Sequence, residues 1–173
     1  MTHRSRLIGP TRLALRIGMV LNIGFGAGVA LLLAASLIMG DRFTAILLHA
    51  DTLSQLATTT AGARCLMIVG ILVALATHII LLALGRMAVS LASDDPFAAV
   101  NTSRLRTIGW ALLGIQLLDF PVMAIRHYAP VVGEIIRNAG ISPSGWLAVL
   151  MVFVLAHIFE KGTAMRDYLE ETI

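Results

Sequence analysis

Two side chains able to move a proton lie inside stretches that otherwise carry no charge. Asp119 interrupts the apolar run Thr107 to Ile125, and His78 sits within the charge-free run Cys65 to Gly85. Gln116 precedes Asp119 by three residues, so on a helix the two share a face and form a polar stripe that should turn away from lipid. At 1.5 Å per residue Asp119 would lie about 18 Å from the start of its run and about 10 Å from Arg126. A His78 to Asp119 pair would make a proton relay, although their depths differ by about 6 Å. The same residues also fit a structural role. Asp119 can be protonated or reach toward Arg126 through water near a kink at Pro121, and a neutral His78 can bond a neighbouring hydroxyl or carbonyl.

Other candidate chemistry is sparse. His157 and Glu160 stand three apart, a spacing metals use, but two ligands do not make a site, so neither metal nor cofactor is expected. The chain has no Walker-type glycine loop, HExxH, GxSxG or paired acids, and no enzymatic activity is expected of it. Cys65 is the only cysteine, which excludes an intrachain disulfide. Two small-residue patterns point to packing instead. Gly24 and Gly28 form a GxxxG pair, and Gly70, Ala74 and His78 recur every fourth residue, which lets another helix approach and would carry His78 inward.

The elements that must position these residues follow from composition. Of 173 residues 58% are hydrophobic and 13% charged, against about 25% charged in soluble domains. Each of four apolar runs is about the 20 residues a helix needs to cross lipid. The expectation is an all-α integral membrane bundle of four transmembrane helices in one domain, spans about 17–40, 65–85, 107–125 and 141–159. The first run is too long for a secretory signal core of roughly 7 to 15 residues and reads as a retained anchor. Twelve Leu, Ile and Val residues favour insertion of the second span by roughly 4 to 7 kcal/mol. The third span is weaker, because nine such residues (counting Phe120) supply roughly 3 to 5 kcal/mol and Asp119 alone costs about 3. That span should depend on its neighbours. Between spans one and two, "FTAILLHADTLSQLATTT" mixes apolar and polar residues and could lie along the membrane surface. Pro130 should break the chain, residues 141–143 should start the fourth helix, and Trp146 suits an interfacial anchor.

Charge placement sets the expected orientation. Nine Arg or Lys residues lie on the side of both termini (Arg4, Arg6, Arg12, Arg16, Arg86, Arg104, Arg106, Lys161, Arg166) and four on the other (Arg42, Arg64, Arg126, Arg137). The side with nine should be cytoplasmic, as should loop 86–106 and tail 160–173. The pI near 9.8 therefore reflects topology signals flanking apolar runs, and no direct nucleic-acid binding is expected.

Two stretches would face the cytosol. In "SDDPFAAVNTSRLRTIGW", Asp95 can cap a helix starting at Pro96 that runs through Arg104 and Arg106 into the third span, with Trp110 near the interface. The tail from Glu160 holds six of the 23 charged residues. Extending the fourth helix, it places Gly162, Met165 and Leu169 on one side and Lys161, Arg166, Asp167 and Glu170 largely on others. Such a helix can lie against a partner; a solvated, fraying end has the same pattern.

These stretches resemble the two signatures of the bacterial Domain of Unknown Function 2975 family, PF..N..RLR.IGW and F..G..L..D.E.TV. Pro96, Phe97, Asn101, Leu105, Arg106, Ile108, Gly109 and Trp110 match the first. Phe159, Gly162, Met165, Glu171, Thr172 and Ile173 match the second, Met165 and Ile173 conservatively, and with four spans the resemblance covers essentially the whole chain. His157 departs from it, since many relatives carry an acid there. The resemblance implies a four-helix inner-membrane protein without assigned enzymology, whose gene often adjoins one for a small helix-turn-helix regulator of the Xre type. A docking face would then draw on Asp95, Pro96, Phe97, Asn101, Arg104 and Arg106 from the loop. The tail would add Gly162, Met165, Arg166, Asp167, Leu169 and Glu171. Two other readings stay open: a small carrier or channel subunit with a polar path at His78, Gln116 and Asp119, and a scaffold that forms homo-oligomers through Gly24 and Gly28.

Overall fold

The computed structural model describes residues 2–40, 42, 53–90 and 99–170, and side chains for 11–40, 42, 56–90, 100–165 and 168. Among the described residues there is no β-strand. They form helices Thr2–Met39 (α1), Leu53–Ser90 (α2), Ala99–Leu117 (α3), Asp119–Tyr128 (α4), Pro130–Ile135 (α5) and Pro143–Glu170 (α6). Four stretches are long and apolar enough to cross a membrane: Thr11–Met39, Leu56–Ser90, Val100–Tyr128 and Pro143–Met165. The polarity of the packing agrees with that reading. Ser36, Thr59 and Asn101 are each only 1% exposed, whereas Leu31 and Ile38 are 71% and 85% exposed. Water would penalise that arrangement and hydrocarbon favours it. The chain is a multi-pass, all-α membrane protein, as its apolar runs require.

Helix boundaries follow local chemistry with two departures from the sequence expectation. Gly40 ends α1 in the left-handed region at φ 59°, its N–H donating to the Ser36 carbonyl at 3.1 Å. Helix α2 begins at Leu53, so residues 53–64, read from sequence as part of a loop, are continuous with the second span. Its 38 residues make a rod about 57 Å long. The reason is burial: Thr59, Thr60 and Gly62 in this extension are enclosed by neighbours, so polarity did not mark a loop.

The third span is the second departure, because it is two helices with a break at Leu118 instead of one helix kinked at Pro121. Pro121 has no N–H for the Leu117 carbonyl and its ring crowds that same carbonyl, so the disruption appears one turn earlier. The Leu118 N–H turns back to Ile115 at 3.1 Å and the next bond, Val122 to Leu118, is stretched to 3.4 Å. Further on, Ala129 leaves helical geometry at φ −124°, ψ 80°, and Pro130 opens α5.

The chain divides into two compact units. Unit 1 gathers residues 1–22, 76–114 and 143–173. Within it Gly18 lies beside Leu81, Gly85 meets the Met19 Cε, and Leu105, Ile108, Val149 and Ala156 are buried. Unit 2 gathers residues 23–75 and 115–142. Its core is Ala63, Ile125, Ala129 and Val132, with Leu66, Met67 and Ile136 packed against it. Glycine is needed at two points there. A Cβ on Gly62 would stand 2.5 Å from the Ala129 Cβ, and one on Gly133 would stand 2.6 Å from the Arg126 carbonyl oxygen.

Candidate functional site

The polar cluster of unit 1 is built from the end of α2, the start of α3 and the middle of α6. Asn101, in the first turn of α3, is 1% exposed and uses its Oδ1 as a double acceptor. Arg104 Nη1 donates to it at 2.9 Å, and the Ser90 hydroxyl lies 2.8 Å away. The hydroxyl is also 2.9 Å from the Met87 carbonyl, so its single proton is shared between the two acceptors. Arg104 Nη1 further donates to the Arg86 carbonyl at 3.0 Å. That carbonyl lies just before the last turn of α2, near the helix end that favours a cation. Asn101 and Arg104 thus clasp the end of α2 to the start of α3.

A second link runs from α3 to α6. Arg106 Nη2 donates to Glu160 at 3.1 Å (Oε2) and 3.3 Å (Oε1), and His157 Nδ1 lies 3.6 Å from the same Oε2. With 56% and 47% of the two side chains exposed, the Arg106–Glu160 pair contributes about 0.2 to 1 kcal/mol. Its value is positional. One turn on, the Cβ position of Gly109 is 3.1 Å from the Phe153 ring, and Trp110 meets that ring edge-on at 5.5 Å between centroids.

The sequence candidates are thereby sorted. Asn101 is enclosed and offers no contact surface, and Arg104 is committed to Asn101 and Arg86. Arg106 stays exposed and bridges to the fourth span, Gly162 is half-buried and Met165 exposed. Asp95, Pro96, Phe97 and Glu171 lie outside the described residues; for Arg166, Asp167 and Leu169 the helical backbone alone is described. Ser90, the Arg86 carbonyl and the Arg106–Glu160 bridge were not anticipated. Ser90 and Asn101 are eleven residues apart and Arg106 and Glu160 fifty-four, distances at which sequence spacing carries no signal.

The intramembrane candidates each have their own surroundings. Gln116 is buried and donates to the Ser142 carbonyl at 3.3 Å, which completes a helix connection. Asp119 belongs to the first turn of α4, where the free N–H groups of a new helix favour a carboxylate. Among the described residues it forms no hydrogen bond or ion pair; Arg126 Nη1 donates instead to the carbonyls of Arg137 and Ala139 at 3.2 and 3.4 Å. His78 belongs to unit 1 and Asp119 to unit 2. The His78 Nδ1 is buried with no hydrogen-bond partner among the described residues. Gly70 and Ala74 pack against Val29 and Gly26, whereas nothing lies within 4 Å of a Cβ built on Gly24 or Gly28. Arg64 makes a link not foreseen from sequence, its guanidinium donating to the Ser36 hydroxyl at 3.1 Å and to the Ser36 carbonyl at 2.7 Å. No group of three or more metal-ligating side chains occurs among the described residues.

Residues 43–173 match the family described as Protein of unknown function (DUF2975). The chain belongs to that family. The match holds α2 through α6 and both halves of the Asn101 and Glu160 cluster, while α1 falls outside it, a narrower extent than the whole-chain resemblance suggested. Comparison with curated proteins gives no match, and comparison with solved structures gives none. For a DUF2975 chain the cluster explains several motif positions physically. Asn101 and Arg104 close the α2–α3 connection, Leu105 and Ile108 are core, Gly109 admits Phe153, and Arg106 reaches the helix that bears the second motif.

Proposed function

We propose that this protein is a non-enzymatic regulatory protein of the bacterial inner membrane that holds a cytoplasmic partner, such as a helix-turn-helix transcription regulator, against its charged end. The observation that carries the reading is the Arg106–Glu160 bridge, since it joins the two motif segments into one surface. Beside it Lys161, Met165 and Tyr168 are exposed at the turn spacing of α6, which suits a partner with both apolar and charged contacts. The nine-to-four distribution of Arg and Lys supports a cytoplasmic position for that surface. Where a helix-turn-helix regulator is encoded beside the gene, it is the partner to test. A chain cut after Lys161 is expected to insert normally and to release that regulator from membranes. Retention at the level of the intact chain would reject the docking role.

One observation favours a second reading, a small carrier or channel subunit: the buried Nδ1 of His78 has no hydrogen-bond partner among the described residues. Its test is proton flux in vesicles, where His78→Phe and Asp119→Asn should each abolish pH-driven transport. Absence of flux by the intact chain rejects it.

A further inference from the structure

The part of α1 that belongs to unit 1 is covered along one stripe. From Thr11 to Asn22 only Leu15, Gly18, Met19 and Asn22 are half-buried, and the others are exposed. The stripe lies on α2, where a Cβ on Gly18 would stand 3.7 Å from Leu81 Cδ2 and one on Gly85 would stand 3.4 Å from the Met19 Cε. In unit 2 Gly26 meets Ala74 in the same way, so α1 and α2 run antiparallel. Asn22 follows Gly18 by one turn and His78 precedes Leu81 by one turn, which sets the two at one level of the seam. No acid of unit 1 stands at that level in the described helices. The Asn101 to Ser90 and Arg104 to Arg86 bonds put residues 111–114 of α3 level with His78, and the Gly109 to Phe153 contact puts residues 148–151 of α6 there. Neither segment carries a titratable side chain. The nearest charges on the seam helices are Arg16 and Arg86, about 9 Å from Asn22 and about 12 Å from His78 along their helices. Glu160 lies about 15 Å further along α6 and is held by Arg106, and the other acids of unit 1 stand in sequence beyond Ser90 or Met165, where their spans end.

We propose that His78 is a proton-operated latch: α1 lies on α2 while the imidazole is neutral, and proton uptake parts the two helices at Gly18, Asn22, Leu81 and Gly85. The His78 Nδ1 is buried in this span with no hydrogen-bond partner among the described residues, so no bond at that atom fixes the neutral ring. The added charge has no carboxylate to meet, and an unpaired cation between two helices in hydrocarbon is expelled toward water or lipid headgroups. Little opposes the separation. Lipid replaces the contacts of one stripe of an apolar helix at small cost, because hydrocarbon tails are as apolar as the side chains they displace. The other half of α1 stays tied through Arg64 and Ser36, whose bonds do not depend on a group that titrates near neutrality. Acid therefore opens the seam and alkali closes it, since imidazole gains its charge as pH falls.

The test uses the full chain in lipid nanodiscs, with Cys65→Ser and nitroxide labels at the exposed positions of I17C and L82C. Pulsed electron resonance reads the distance between the labels at about pH 8 and about pH 5, the two ends of the range in which histidine changes charge. With His78 in place, the fraction of chains with separated labels is expected to rise about ten-fold or more on acidification. H78Q and H78L do not titrate and should give the short distance at both pH values, whereas H157Q should keep the full response. A second label pair on α3 and α6, at V100C and I158C, should not move. No separation with His78 in place, a response that survives in H78Q or in H78L, a response lost in H157Q, or equal movement of the second pair each overturns the proposal. Because the readout is a distance, neither partner capture nor transport decides the outcome.

Discussion

Asn101 shows how one side chain fixes the connection between two spans. Its buried carbonyl oxygen serves Arg104 and Ser90 together, and removing it unties α3 from the end of α2, leaving Ser90 on the Met87 carbonyl and Arg104 on the Arg86 carbonyl. Asn101→Leu is expected to cost about 2 to 3 kcal/mol, read as a fall in the thermal midpoint of the purified protein in detergent, whereas Asn101→Asp should cost less because the acceptor survives. Asn101 was legible from sequence as a motif residue, but its role was not. A polar residue on an apparently cytoplasmic loop reads as surface, and only the packing of α3 against the end of α2 makes it interior.

At the scale of elements, glycine and proline decide where rods may bend and touch. Gly133 sits where the start of α5 meets the Arg126 carbonyl, and Arg126 in turn holds the carbonyls of Arg137 and Ala139. Gly133→Val is therefore expected to spring the α4–α5 hairpin, raising amide hydrogen exchange across 119–136 while leaving α6 unchanged. Gly24→Ala, with open space around it, should alter neither stability nor exchange. The Arg106–Glu160 bridge should behave as a weak coupling. A double-mutant cycle with Arg106→Ala and Glu160→Ala is expected to give about 0.2 to 1 kcal/mol, too little to hold the fold and enough to bias the orientation of α6. Sequence reading found the spans within α1, α2 and α6 from their charge-free runs, although α2 begins twelve residues before its run. It misplaced the break in the third span because the effect of Pro121 falls on the preceding turn.

Along the four candidate spans large apolar side chains face outward, while Ser36, Thr59, Asn101 and Gln116 are buried. Leu31, Ile38, Leu75, Leu147 and Leu150 are all exposed, as side chains that face lipid are. Orientation is the testable consequence. With nine basic residues on the side of the termini, protease added outside intact spheroplasts is expected to spare the tail beyond Lys161, and cleavage there would invert the topology and remove the docking surface from the cytoplasm.

Residue order alone determined the number of spans, the all-α class and the charge asymmetry, because insertion depends on the polarity of about 20 consecutive residues and is summed locally. Tertiary structure decided which polar residues are partners. Gln116 turned to Ser142, Arg126 to the 137–139 turn and Arg106 to Glu160. Those choices rest on hydrogen-bond geometry between helices distant in the chain, where an ångström separates a bond from none and residue spacing holds no record of it.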